Sequence, residues 1–259
     1  METKYSNVEI NFKLVEGIIL IPATVNDEQG YLAFDTGAMQ TALHKKYYSD
    51  IQGNELEISK YSEGVKRETV TGSTIRSISF SDITLTDHNA IIMDLSYVED
   101  PLAAADPSIR FLGTMGIDII RNFSVILDYK NSKIILNPLC GFDKYTCVPL
   151  QMKELLVVEI EIGGKQYNFN LDTGANTCLL DARLIDQLPV QPVDNEPNVF
   201  NLSTLSLNNR TYSNVKSVFA DFSAFRGEEH VDGIIGYHIL SPQRSYFDFS
   251  NQKLYLEEV

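Results

Sequence analysis

The sequence predicts an all-β protein built as two similar halves, and three observations carry that prediction. Asp-Thr-Gly-Ala occurs twice, at Asp35–Ala38 and Asp172–Ala175, each time after an apolar residue ending a run of strand-like alternation. Downstream of each copy, an apolar pair ends in Gly and a short apolar-rich segment follows. Each half then closes on two alternating runs separated by a polar turn, which is the pattern of a hairpin.

The elements follow from laying one half on the other. With Asp35 set on Asp172, an offset of 137, Ile21, Ala23 and Val25 fall on Val158, Ile160 and Ile162. Asn26-Asp27 and Gly163-Gly164 then predict a hairpin turn in each copy. Later the offset is 120: Gly113, Gly116, Ile119, Asp128, Asn131, Lys133 and Leu136 meet identical residues at Gly233, Gly236, Ile239, Asp248, Asn251, Lys253 and Leu256. The fall from 137 to 120 gives the first half 17 more residues between its anchors, and such insertions belong in loops. Ile117–Ile120 and Tyr237–Leu240 read as one or two helical turns. The closing hairpins turn at Lys130-Asn131 and Ser250-Asn251. Residues 138–152 hold two prolines, a Gly and a Cys pair and read as a linker. The expected lobes are therefore 1–137 and 153–259.

Composition excludes several function classes. The chain has 259 residues, enough for a full core, and a formal charge of −14. That charge argues against nucleic acid, since phosphate contacts need a basic face. No stretch approaches the ~18 apolar residues of a membrane span. Met1 to Glu9 is polar, so no signal peptide is visible and a cytoplasmic protein is expected; a periplasmic or secreted one follows if a leader was removed. Cys140 and Cys147 flank a short loop; they pair in an oxidising compartment and stay free thiols otherwise, the reading this composition favours. Cys178 reads as core. His44, His88, His230 and His238 show no paired metal-ligand spacing, and no Gly-x-Ser-x-Gly elbow exists. Asn122, Asn201 and Asn209 begin Asn-x-Ser/Thr triplets that carry no meaning in a cytoplasmic protein.

The repeated aspartate is the candidate chemistry. A carboxylate at the end of a buried strand is costly unless hydrogen-bonded, shared or wetted. One Asp-Thr-Gly alone reads equally as a turn with Asp as a cap. Two meeting loops would instead set two carboxylates so close that they share one proton, one acting as base on water and the other as acid. Asp-Thr-Gly-Ala in both halves resembles the retropepsin-type aspartyl proteases, and Leu171–Leu180 is especially similar to the retroviral pattern; the pepsin branch typically carries Ser after the Gly. The resemblance implies two retropepsin-like lobes related by a pseudo-twofold axis, with a short helix in each.

That resemblance makes Asp35 and Asp172 the catalytic pair of an aspartic endopeptidase acting on a peptide or protein substrate. Thr36 and Thr173 would brace the loops, while Gly37 and Gly174 approach substrate beside Ala38 and Ala175. No metal or organic cofactor is implied, and a monomer suffices because one chain supplies both aspartates. The family covers its cleft with a hairpin flap, placed here at Thr71, Gly72 and Ser73; Gly72 reads equally as an ordinary surface turn. A second flap within Val193–Phe200 would be shorter or irregular. Where retroviral members carry Arg after the second Gly, Ile117 and Tyr237 stand; where they often carry Asp after the Ala, Met39 and Asn176 stand. These departures keep open a second reading, a catalytically silent module binding a peptide or partner on the same fold.

Overall fold

The computed structural model describes residues 5–60, 66–139, 145–152, 155–222 and 231–258. The first half runs β1 (Val8–Asn11), β2 (Lys13–Val15), β3 (Ile18–Val25), β4 (Glu28–Phe34) and β5 (Ala42–His44), then helix α1 (Lys45–Tyr48). It continues through β6 (Asn54–Lys60), β7 (Lys66–Phe80), β8 (Ile83–Met93) and helix α2 (Ser96–Ala105). β9 (Phe111–Met115), α3 (Ile117–Ile120), β10 (Val125–Asp128) and β11 (Lys133–Leu136) complete it. The second half comprises β12 (Tyr145–Pro149), β13 (Gln151–Met152), β14 (Leu156–Ile162), β15 (Lys165–Leu171), β16 (Cys178–Asp181) and a 3₁₀ turn at Ala182–Leu184. After these come β17 (Val190–Pro192), β18 (Val199–Leu207), β19 (Arg210–Ala220), β20 (Gly233–Ile235), α4 (Tyr237–Leu240), β21 (Ser245–Asp248) and β22 (Lys253–Glu257).

Two eight-stranded sheets repeat one topology. The N-lobe order is β2-β3-β4-β9-β5-β8-β7-β6 with β3 also meeting β7; the C-lobe order is β13-β14-β15-β20-β16-β19-β18-β17 with β14 also meeting β18. Each strand thus has a twin. In both lobes the strand that ends at the aspartate lies parallel to the strand of the second pattern: Phe34 is level with Met115, and Leu171 with Ile235. A third, six-stranded sheet, β1-β11-β10-β21-β22-β12, joins the halves, with β10 antiparallel to β21 at its centre. Across that seam Arg244 Nε donates to buried Asp128 at 2.6 Å.

Local chemistry explains the hairpins. Gly163 and Gly164 take φ of 60° and 78°, the left-handed pair of a two-residue turn, and Asn26 takes 53° in the twin. At the closing turns the side chain of Asp128 accepts from Asn131 N at 3.0 Å and Nδ2 at 2.8 Å; Asp248 and Asn251 repeat both bonds at the same distances. The apolar alternation buries Ile19, Ile21, Val25, Val158, Ile160 and Ile162 in a core continuous through both lobes.

Two expectations need correction. Residues 138–152 are not only a linker: β12 pairs with β22 and β13 with β14, so 145–149 and 151–152 belong to the sheets. Pro149 ends β12 and Pro138 lies outside it, so the prolines punctuate strands rather than exclude them. The 17-residue insertion is also two insertions. Leu43 and Leu180 are twins 137 apart, whereas their partners Ile92 and Phe219 are 127 apart and Gly113 and Gly233 are 120 apart. Ten extra residues therefore enlarge the β6–β7 region, and seven enlarge the stretch carrying α2. That helix covers a separate apolar cluster containing Leu20, Val70, Ile91, Leu102 and Phe111. Buried Glu99 anchors it, accepting from Lys46 Nζ at 2.8 Å and Tyr47 Oη at 3.0 Å.

Candidate active site

The two Asp-Thr-Gly-Ala loops meet between the lobes. Thr36 and Thr173 are buried side by side. Thr36 N donates to Thr173 Oγ1 at 3.0 Å, and Thr173 N donates to Thr36 Oγ1 at 3.0 Å. Each hydroxyl passes its own proton across the seam, Thr36 Oγ1 to Leu171 O at 2.8 Å and Thr173 Oγ1 to Phe34 O at 2.7 Å. These four reciprocal bonds pair both Thr amides and both hydroxyls with groups of the opposite loop in a buried seam.

The crossing lays the carboxyl of Asp172 against Gly37 and the carboxyl of Asp35 against Gly174, so each aspartate faces the opposite loop. Gly37 N and Ala38 N donate to Asp35 Oδ1 at 2.8 and 3.0 Å, and Gly174 N donates to Asp172 Oδ1 at 2.7 Å. Neither Gly37 nor Gly174 takes a positive φ, so the absence of a side chain rather than backbone freedom matters here. A Cβ on Gly37 would stand 2.3 Å from Asp172 Cγ, and one on Gly174 would stand 2.6 Å from Asp35 Cγ. Each glycine therefore clears space for the carboxyl of the opposite loop.

Double ionisation of the two carboxyls is disfavoured. Both aspartates keep part of their surface open, yet the surrounding protein is dense, and burial pushes both carboxyls above the usual range. For Asp35 the hydrogen bond from Asp172 and the Gly37 and Ala38 amides offset part of that rise. For Asp172 the charge of Asp35 adds to it, so Asp172 lies well above the ordinary carboxylate. Burial and the neighbouring charge both favour the protonated carboxyl, so the surroundings suit a pair that carries one proton rather than none.

Residues of the second pattern thread each loop. Asp35 N donates to Met115 O at 3.1 Å and Ile117 N to Ala38 O at 2.8 Å; Asp172 N donates to Ile235 O at 2.8 Å and Tyr237 N to Ala175 O at 2.9 Å. Beyond these, sequence reasoning missed the side chains that steady the loops. Thr41 and Asp118 join in the N-lobe. In the C-lobe Asn176 Nδ2 donates to Glu16 O at 3.0 Å, gripping the β2–β3 turn of the other lobe. Tyr237, standing where the retroviral pattern has Arg, lies against that same turn at Gly17. The available signal was the departure of Asn176 and Tyr237 from that pattern.

Thr71, Gly72 and Ser73 do not form a hairpin tip. They lie mid-strand in β7, with Gly72 level with Asn54 on one side and Ile91 on the other. A Cβ there would stand 2.4 Å from Leu56 Cδ1, so this glycine makes room for a cross-strand leucine. β6 and β7 remain paired out to Lys60 and Lys66, and their connection falls on 61–65, outside the described residues. The twin hairpin, β17–β18, is shorter, with Pro192 level with Phe200. Among the described residues no group of three His, Cys, Asp or Glu is placed to hold a metal, and no helix is long and apolar enough to cross a membrane. Cys178 is buried and Cys147 exposed; Cys140 and His230 lie outside the described residues.

Comparison with known proteins now adds to this geometry. Residues 158–239, containing the second aspartate and the second pattern, match an aspartyl protease family. Over its whole length the chain superposes on the crystal structure of the aspartic proteinase from Irpex lacteus, with a TM-score of 0.61 at 13% identity and 97% of each chain covered. The fold is that of an aspartic proteinase. No match to the sequence was found among the curated proteins. At 13% identity the likeness to the fungal proteinase concerns the fold, and the family match lies within the C-lobe, so the chemistry rests on the paired carboxyls described above.

Proposed function

We propose that the protein is an aspartic endopeptidase in which Asp35 and Asp172 activate water against a peptide bond. The observation that carries this reading is the meeting of two loops, held by the Thr36–Thr173 crossing, that lays each aspartate against the glycine of the opposite loop, with burial pushing both carboxyls upward. In the singly protonated pair, the ionised carboxylate takes a proton from water while the protonated carboxyl donates to the carbonyl oxygen. The water oxygen bonds to the carbonyl carbon to give a tetrahedral diol, which collapses by breaking the C–N bond as one carboxyl protonates the leaving nitrogen and the other takes a hydroxyl proton. Backbone N–H groups hold Oδ1 of each aspartate and so fix the planes of both carboxyls for the reaction. The substrate is a peptide or protein segment taken extended in the cleft, as strand addition requires.

Incubating the protein with a peptide library and identifying the fragments by mass spectrometry tests this. Cleavage by the wild type and none by Asp35→Asn or Asp172→Asn is expected. Intact peptides with wild-type protein, together with saturable binding, would replace it with the silent binding module.

A further inference from the structure

We propose that Asp118, clamped by His88, is a positioning residue for the Asp35 loop, and that only the N-lobe carries this device. The proposal rests on the aspartic endopeptidase reading. The loop leaves Asp35 through the two amides that hold its Oδ1, Gly37 and Ala38, and reaches fully buried Thr41. Both Thr41 N and Thr41 Oγ1 donate to Asp118 Oδ1, at 3.0 and 2.8 Å. The same oxygen accepts from Ile119 N at 3.0 Å, and Thr41 Oγ1 accepts from Gly116 N at 3.2 Å. The other carboxyl oxygen meets His88 Nε2 of β8 at 2.9 Å. His88 is the titratable group the structure sets against Asp118, from the strand packed over α3.

This is more polar bonding than the fold needs to thread the loop. The backbone bonds through Met115 and Ile117 already do that, and their counterparts suffice in the C-lobe. There the twins of Thr41, Asp118 and His88 are Cys178, His238 and Val215, at offsets of 137, 120 and 127. Cys178 is buried, its thiol pushed up to about 12, so it carries no charge near neutral pH, and His238, at the place of Asp118, is exposed. In the N-lobe, burial pushes Asp118 up, but His88 and the two Thr41 bonds outweigh it and hold the carboxyl below its usual range. An ionised Asp118 fixes Thr41, and Thr41 fixes the far end of the segment whose near end presents two N–H groups to Asp35. Loosening the segment lengthens those bonds, and a carboxylate that loses donors becomes more basic.

The test compares wild type with Asp118→Ala, Asp118→Asn and Thr41→Val, using two readouts. The first is the titration of the Asp35 and Asp172 carboxyl carbons by ¹³C NMR, assigned with the two Asp→Asn variants; it needs no turnover. The second is kcat and KM on a peptide cleaved by wild type. In Asp118→Ala the lower titration step of the pair is expected to rise by roughly half to one pH unit. kcat is expected to fall ~10- to 100-fold at a KM within about twofold, the signature of a misplaced catalytic group. Asp118→Asn should recover most of both, because its carbonyl oxygen still accepts the Thr41 bonds. Thr41→Val, which keeps volume and the backbone bond, should shift both more weakly in the same direction and decides the matter if Asp118→Ala fails to fold. A folded variant with unmoved titration, or a loss confined to KM, overturns the proposal. If wild type cleaves nothing, the endopeptidase reading fails while the titration still decides this one.

Discussion

In the N-lobe, residues 115–118 thread the Asp35 loop through two backbone bonds, and residues 235–237 thread the Asp172 loop through the same two. Side chains then divide the lobes. The N-lobe secures its loop from within, through Thr41, Asp118 and His88. The C-lobe has apolar or thiol groups at two of those places and secures its loop from outside, through Asn176 on the carbonyl of Glu16. Met39, the twin of Asn176, is half exposed and its side chain has no N–H to offer such a carbonyl. The shared part is what any lobe needs to bring an aspartate to the seam. The unshared part gives the two loops different support, and on the proposed mechanism unequal carboxyls would divide acid from base.

The largest expected effect breaks the symmetry of the pair itself. Asp35→Asn and Asp172→Asn should each lower kcat by roughly 10³-fold or more, since each removes one of two coupled proton transfers; steady-state kinetics on one cleaved peptide checks this. Full activity in either variant would mean that the two loops do not form one site.

The Thr crossing comes next. Thr36→Val keeps volume but strands the Thr173 N–H and the Leu171 carbonyl in a dry seam, at about 1–3 kcal/mol each. A loss of roughly 2–5 kcal/mol in urea unfolding is expected, and Thr173→Val should match it because the bonds are reciprocal. A Thr36→Ser variant close to wild type would confirm that the hydroxyl, not packing, is responsible.

Acidity separates the two aspartates further. Activity requires one ionised and one protonated carboxyl, so the base is lost as pH falls through the lower step and the acid is lost as pH rises through the upper. Burial raises both groups, so the rate profile is expected to be a bell whose maximum lies on the acidic to near-neutral side. Ala38 and Ala175 bring no side-chain donor that would pull it lower; a maximum below about pH 3 would contradict the assignment. The same shift bears on stability. Asp172 is raised in the folded state, so its favourable contribution is present below the unfolded carboxylate value and lost as pH rises through the folded one. Asp172→Asn, which mimics the protonated form, should therefore melt higher than wild type near neutral pH, by roughly 2–4 °C for each kcal/mol relieved.

The smallest effect concerns the outer brace. Asn176 is exposed, so Asn176→Ala should cost only about 0.5–1 kcal/mol and move kcat less than Asp118→Ala does. A larger loss from Asn176→Ala would reverse the ranking of the two braces.

Much of this molecule follows from the sequence alone. The duplicated loops, the strands leading to them, the two short helices after Gly116 and Gly236, and the Asp–Asn closing turns all rest on residues within a few positions of one another, and local physics acts at that range. The repeat then supplied long-range information, because an element seen once with its twin 137 or 120 residues away is a constraint on topology. Tertiary structure decided what pairing alone can decide. Gly72 has the flanks of a turn, but only the placement of Leu56 shows that it sits mid-strand. Pro138 and Pro149 look like linker punctuation until β12 finds β22. Thr36 to Thr173, Thr41 to Asp118 and Asn176 to Glu16 join residues 77 to 160 positions apart. Polar side chains such as these carry no periodicity of their own; their partners are chosen by the fold, since a buried donor takes whichever acceptor the packed backbone brings within reach.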